Sequence, residues 1–306
     1  GFFSTEVKFF EADGAFIRAM ESPVLEAGIP ASGGILRPDL HRILSDRTLQ
    51  GGADVRLGVK LQQFTQDDSG VVATTSDGKE RRYDVLVGAD GSSSELRQQL
   101  FADGPSLSFV GQGCWRMLAA RPDTVTGPEI YFGENNIKVG LNPCSPQHMY
   151  IFATIAMPGN PRILDEELPD RMREILGQFG GHMGMARDSI GPDSSINYRP
   201  LHAMLKQPPW HVGRVGLIGD AVHATTPHLA SGAGLAIEDG LILGEMLGAI
   251  PDVEDTWTRF EARRWDRARL VVENSLKIAR IEQEGGGDED IQRLMGESSF
   301  ALAQPY

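Results

Sequence analysis

Arg214-Val215-Gly216-Leu217-Ile218-Gly219-Asp220 opens a stretch that runs through Ala221-Val222-His223-Ala224-Thr225-Thr226-Pro227-His228-Leu229-Ala230-Ser231 to Gly232-Ala233-Gly234, and closes on Ala236-Ile237-Glu238-Asp239. The opening apolar run reads as a buried strand. The middle is long for a simple connection and is punctuated by Gly and Pro, and residues from about Gly234 to Leu247 predict a helix. Strand, extended loop and helix in that order form the ligand-binding unit of an open α/β sheet. Upstream the same order recurs. Tyr83 to Val87 reads as a buried strand, Gly88-Ala89-Asp90-Gly91 as a turn at its carboxyl end, and a helix opens near Ser93 with Ser94 and Arg97 on its first turns.

Farther out the texture changes. Thr5 to Ala19 alternates around Asp13-Gly14 and reads as a hairpin. Asp39 to Leu49 has helical spacing, with Pro38 suited to the first turn. Val55 to Val59, Leu61 to Phe64 and Val71 to Thr75 predict a strand followed by a small antiparallel meander, broken at Asp67-Asp68-Ser69-Gly70 and Ser76-Asp77-Gly78. Residues from about Ser106 to Ile196 are rich in β runs, at Ile130 to Phe132 and Met149 to Thr154, with one amphipathic helix around Leu168 to Phe179. They read as a sheet-based domain inserted into the first. A last helix from Val253 to Glu284 carries Trp257, Phe260, Val271, Ile278 and Ile281 as a core stripe and ends at Gly285-Gly286-Gly287.

The chain has 306 residues, 41% apolar and 23% charged, the composition of a globular protein. No apolar run approaches the ~20 residues that span a bilayer. With 29 basic against 42 acidic residues the formal charge is −13, which disfavours nucleic acid and anionic lipid surfaces as partners. Cys114 and Cys144 have no ligand spacing, so neither a disulfide framework nor a metal site is expected, and a reducing cytoplasm fits.

Two loops carry the chemistry. At Gly88 to Arg97 an Asp on a glycine turn can accept from sugar hydroxyls, while backbone N–H groups and Arg97 can face a phosphate. The competing reading is a helix cap built by Asp90 or Ser92. His223 and His228 with Asp220 invite a metal reading, but they lie within the long loop. Arg116, after Trp115, can hold a carboxylate or phenolate, or sit in an ordinary strand ion pair. No Gly-x-Ser-x-Gly elbow is present, which disfavours nucleophilic hydrolysis.

Gly219-Asp220 with His223, Pro227, Gly232-x-Gly234 and Asp239 resembles the second flavin-binding motif of the FAD-dependent aromatic hydroxylases, the class A flavoprotein monooxygenases that include salicylate and para-hydroxybenzoate hydroxylases. Asp90-Gly91, Ser94 and Arg97 resemble the same family's Asp-Gly motif, and Arg37-x-x-Leu40 a third element that places a guanidinium on FAD. The resemblance covers nearly the whole chain. It implies an α/β fold: a Rossmann-like FAD-binding domain at 31–105 and 206–284, an inserted substrate-binding β-sheet domain at 1–30 and 106–205, a C-terminal helix, and a tail at 285–306. It further implies that Asp220 accepts from the ribityl chain as a buried acceptor, that Gly219, Gly232, Ala233 and Gly234 let backbone approach the flavin, and that Pro227 lines the ring face. Asp90 is tied to FAD and pyridine nucleotide, Leu61 offers its backbone to adenine, and His228 faces the substrate.

The implied reaction uses NADH or NADPH to reduce FAD, forms a flavin C4a-hydroperoxide with molecular oxygen, and hydroxylates a small aromatic acid or phenol, in a monomer or homodimer. The family's GxGxxG turn and the acidic residue beyond it do not occur in this sequence. The expectation is that the FAD domain is incomplete at its N-terminus, some tens of residues lying upstream. A flavin halogenase, whose Trp-x-Trp-x-Ile-Pro signature is missing, and a noncatalytic truncated binding module are the rival readings.

Overall fold

The computed structural model describes residues 1–306 except Pro23 and Leu25. Its helices are α1 (Arg37–Gln50), α2 (Glu95–Leu100), α3 (Leu168–Leu176), α4 (Gly181–Asp188), α5 (Asp220–His223), α6 (Gly232–Ala249), α7 (Val253–Glu284) and α8 (Asp288–Ala303). The chain divides into two compact units, Gly1–Val55 with Gly111–Leu201, and Arg56–Val110 with His202–Tyr306. Residues 31–55, α1 among them, group with the first unit.

The first unit is built on a seven-stranded sheet ordered Ile196–Ala203, Ser108–Ala120, His148–Ala156, Lys138–Pro143, Glu129–Phe132, Glu6–Glu11, Phe16–Glu21. The first hairpin forms as the sequence predicts, and Glu6–Glu11 then runs parallel to Glu129–Phe132. Strand alternation separates two faces. Trp115, Met117, Val139, Leu141, Met149, Ile151 and Ala153 point to one side, where Leu168, Met172, Ile175 and Leu176 of α3 and Met183 and Ala186 of α4 complete the core. Buried Glu129 tethers α4: it accepts from Tyr131 Oη (2.7 Å) and His182 Nδ1 (2.9 Å), while His182 Nε2 meets Thr124 Oγ1 (2.9 Å). A carboxylate can only accept, so His182 carries its proton on Nδ1.

In the second unit, Leu61–Asp67, Gly70–Thr75 and Glu80–Tyr83 form the expected antiparallel meander, whereas 55–59 is not a strand: Leu57 is exposed and Gly58 takes a positive φ of 72°. Leu86–Gly88 and Val215–Leu217 lie parallel and in register, with His211–Val212 on the far edge. Trp257 packs its ring on Gly216, where a Cβ would stand 2.5 Å from the indole. Around it Trp210, Val215, Leu217, Ile242, Leu243, Phe260 and Ala268 form one core.

α7 starts at Asp252, whose carboxylate accepts from Asp255 N (2.7 Å), and stops at Gly285 with a positive φ of 69°. Both ends match the sequence reading. Residues 285–306 are not a loose tail, because most of them form α8. This helix docks on α7 through Asn274 Nδ2 to Ser298 Oγ (3.0 Å), and Arg267 Nη2 donates to Leu302 O (2.7 Å). The sequence reading likewise missed α4, a helix short enough and glycine-rich enough to leave a weak periodicity.

Candidate functional site

Because Leu86–Gly88 and Val215–Leu217 are parallel neighbours, the two motif loops leave the same sheet edge side by side, and Ile218 N donates to Gly88 O (3.0 Å). A Cβ at Gly88 would meet the terminal methyls of Leu217 and Leu96 at 2.6 and 2.7 Å, so any larger residue requires those side chains to shift. Gly219 holds φ 63°, ψ −143°, a conformation open essentially only to glycine.

On the first loop Ser94 is the α2 cap, its Oγ accepting from Arg97 N (2.9 Å), and Asp90 Oδ2 accepts from Leu96 N (3.2 Å) while remaining exposed. Arg97 does not face outward to a phosphate. Its buried guanidinium donates to Ala221 O and Ser92 O, both at 2.9 Å, and so ties the two loops together. Burial pulls its pKa down, opposed by nearby Asp90.

The second loop rests on Asp239, which is fully buried. Its Oδ2 accepts from Gly219 N (2.9 Å) and pairs with His223 Nε2 (2.7 Å), and its Oδ1 accepts from Arg264 Nε (2.7 Å). Burial alone would raise the carboxyl pKa, but His223, the Gly219 N–H and Arg264 outweigh it and hold the group below the ordinary carboxylate value. Asp239 was legible only as part of a motif. Nothing in its spacing shows that it, and not Asp220, is the buried acceptor. Asp220 sits exposed on the first residue of α5.

Beyond α5, Pro227 is exposed on a short 3₁₀ turn that ends at Ala230 in the left-handed region (φ 50°). His228 turns inward rather than toward an open site. Its side chain is 1% exposed, Nδ1 lies 2.8 Å from Thr226 Oγ1, and Nε2 lies 3.2 Å from Glu282 Oε2 of α7. That separation is an ion-pair distance, although the nitrogen is not aligned for a hydrogen bond. His223 and His228 therefore serve different carboxylates.

α6 begins with no side-chain cap at Ser231, so the N–H groups of Gly232, Ala233 and Gly234 are left without intrahelical partners at the positive end of an 18-residue helix. A Cβ at Gly234 would meet no atom within 4 Å, and φ there is not positive, so the fold itself does not require this glycine. Open space, an uncapped helix end and two exposed carboxylates, Asp90 and Asp220, fit a large polar cofactor carrying hydroxyl groups and an electron-rich edge. Leu61 is half-buried at the start of the meander in this same unit.

Arg37 and Arg116 belong to the first unit. Arg37 is exposed on the first turn of α1, just before Pro38. Arg116 lies on the sheet face opposite the core, directly across from Phe152, whose ring covers Gly140. Tyr150, Cys114 and Thr154 share this face by register. Arg116 is half-buried and, among the described residues, has neither a hydrogen-bond nor an ion-pair partner, which removes the ordinary strand ion pair as its explanation.

A family model described as "FAD binding domain" matches residues 6–275. The chain belongs to this family. It is 29% identical over 309 residues to the "Putative FAD-dependent monooxygenase YetM" of Bacillus subtilis (strain 168), covering all of this chain and 82% of that protein. It is 31% identical over 255 residues to the "Aurachin C monooxygenase/isomerase" of Stigmatella aurantiaca, covering 82% of this chain and 63% of that protein. The structure of Klebsiella pneumoniae HpxO complexed with FAD and uric acid matches the fold with a TM-score of 0.80 at 23% identity, over 98% of this chain and 78% of that one. The chain is thus an α/β member of the class A flavoprotein monooxygenases, with FAD as the cofactor of its family. Among its described residues no helix is long and apolar enough to cross a membrane.

Proposed function

We propose that the chain is an NAD(P)H-consuming monooxygenase that hydroxylates a planar aromatic substrate bearing a carboxylate or phenolate. The observation that carries the substrate reading is Arg116. A half-buried guanidinium without a partner forgoes charge-assisted hydrogen bonds that its fork geometry can make to a planar anion. Phe152 directly opposite and Tyr150 nearby supply flat apolar surface for a ring.

When bound, FAD supplies the electron transfer and oxygen activation that no side chain can provide. The chain's own groups bind and orient. Asp220 and Asp90 would accept hydrogen bonds from cofactor hydroxyls and Leu61 would offer a backbone contact to the adenine end; for Arg37, the family resemblance alone supports a role in holding FAD. The uncapped N–H groups at Gly232 to Gly234, at the positive end of α6, would hold an electron-rich edge of the cofactor and favour negative charge there. Pro227 lines the ring face without adding a donor, and Arg97 and Asp239 hold the two loops in place from behind.

The experiment is to load the protein with FAD and follow NAD(P)H loss, oxygen uptake and peroxide together across aromatic acids, phenols and their neutral amides or ethers. Anionic aromatics should accelerate NAD(P)H oxidation and yield oxygenated product. One NAD(P)H oxidation rate for every ligand, with no product from compounds shown to bind, would overturn the hydroxylase reading. Turnover of neutral analogues as fast as anions would overturn the role of Arg116.

A further inference from the structure

α7 meets the loop between Gly219 and Ser231 at two separated places. Near its middle, fully buried Arg264 holds Asp239, which holds Gly219 and His223 where the loop begins. Near its C-terminal end, Glu282 faces His228 where the loop is about to enter α6. Arg264 and Glu282 lie 18 positions apart, about 27 Å along a helix rising 1.5 Å per residue.

The two halves of the loop are supported differently. Met204 N donates to Ala224 O (2.9 Å) and Lys206 N to Val222 O (2.8 Å), so the first half is stitched to the irregular segment that follows the Ile196–Ala203 strand. Among the described residues, the backbone hydrogen bonds of residues 225–231 are local: Ala230 N donates to Pro227 O, and Ser231 O receives Leu235 N as α6 begins. The polar tie from this outer half to another element is His228 to Glu282. Both side chains are nearly buried, at 1% and 9% exposure, so the pair sits where charge is poorly screened.

We propose that Glu282 is a positioning residue for the flavin: through His228 it fixes the outer half of the loop, and with it Pro227 and the entry into α6. The proposal rests on the FAD-binding assignment of this loop. It gives the two ends of the suspension different tasks. The Arg264–Asp239 end is deep in the core and maintains the fold, while the Glu282–His228 end tunes where the ring-facing residues stand.

The test uses the full chain. Glu282→Gln removes the charge while keeping the shape, and is compared with wild type by FAD titration followed through flavin fluorescence, by the visible absorption of bound flavin, and by the urea midpoint of the FAD-free protein. FAD affinity should fall about three- to tenfold, the range of one lost polar contact. The visible band should shift, and the FAD-free midpoint of the double variant, which leaves neither group as an unpaired buried charge, should stay near wild type. Glu282→Gln combined with His228→Gln should be no worse than either single change, because the three act on one contact. If Glu282→Gln fails to fold, the double variant, which leaves no buried charge without its partner, is read in its place. Wild type that binds FAD beside a variant with unchanged affinity and spectrum overturns this proposal alone. Additive losses, or a fall in the urea midpoint with the bound-flavin spectrum unmoved, also overturn it. Wild type that does not bind FAD overturns the assignment of this loop to FAD in the 306-residue chain, and the role of Glu282 with it.

Discussion

Asp239→Asn changes the charge of one buried group and almost none of its volume, so no cavity contributes to the result. The carboxylate receives three donors: Gly219 N–H and His223 at Oδ2, and Arg264 Nε at Oδ1. Asparagine has one acceptor oxygen. If that oxygen keeps the Oδ2 position, its amide N–H₂ confronts the Arg264 guanidinium, which retains Glu238 at 2.7 Å but loses its closest fully buried partner. If it turns toward Arg264, the amide confronts Gly219 N–H, which has no alternative acceptor. His223 could shift its proton, but only by moving it to Nδ1, which is buried and without a partner.

Either orientation leaves one buried donor unsatisfied, a cost of about 1–3 kcal/mol for a neutral group, and up to about 3–5 kcal/mol where a buried ion pair is broken. The expected loss is about 2–4 kcal/mol, read as the difference in urea unfolding free energy at neutral pH. The loss also depends on pH. The folded pKa of Asp239 lies below its ordinary value of 3.8, so its stabilisation is fully present above that value and disappears as pH falls through the folded value. Asparagine does not titrate. The gap between wild type and variant should therefore narrow as pH falls below about 4. A neutral-pH difference under about 1 kcal/mol, or a gap that does not change on acidification, would refute the argument that Asp239 is the ionised hub of this loop.

Asp220→Ala should leave stability near wild type, because the residue is exposed, while weakening FAD binding by about 1–3 kcal/mol in a fluorescence titration. Gly234→Ala should move stability and affinity in opposite directions: up to about 1 kcal/mol more stable from helix propensity with no clash in the protein, yet weaker for FAD, measured by thermal melts with and without cofactor. Arg116→Gln should leave FAD binding unchanged and remove the preference for anionic over neutral aromatics, seen as a rise in KM for the anion alone.

Much of the fold was legible because its signals are local. Asp13-Gly14 between alternating runs gives the hairpin, Gly285 ends α7, and the glycines at 91 and 219 mark turns at strand ends whose positive φ favours them. What was not legible depends on partners far away in sequence. Arg97 follows an Asp-Gly turn and so resembles a phosphate ligand, but its direction is set by the carbonyl of Ala221, 124 positions on. The inward turn of His228 depends on a carboxylate 54 residues downstream. Asp220 and Asp239 are both aspartates of one motif, and only the packing of α6 on α7 determines which is buried. Arg116 is the opposite case: its residue type left a ligand and an ion pair open, and the absence of a partner among the described residues removed the ion pair.

α7 shows why a stripe of apolar residues is an incomplete description of a helix. Trp257, Phe260, Val271 and Ile278 bury one side of it, as the periodicity predicts. The residues that bear on function are the polar ones beside that stripe. Arg264 is buried because Asp239 and Glu238 are there to receive it, and Arg267 reaches Glu238 on one side and the end of α8 on the other. A guanidinium buried without such partners would cost several kcal/mol, so the acidic pair Glu238-Asp239 on α6 and the two arginines on α7 depend on each other for burial. The same ion cluster that docks α6 on α7 also supplies, through Asp239 Oδ2, the acceptor that holds Gly219. Packing of these two helices and placement of the cofactor loop are therefore one set of contacts, and a change that loosens one must be felt in the other.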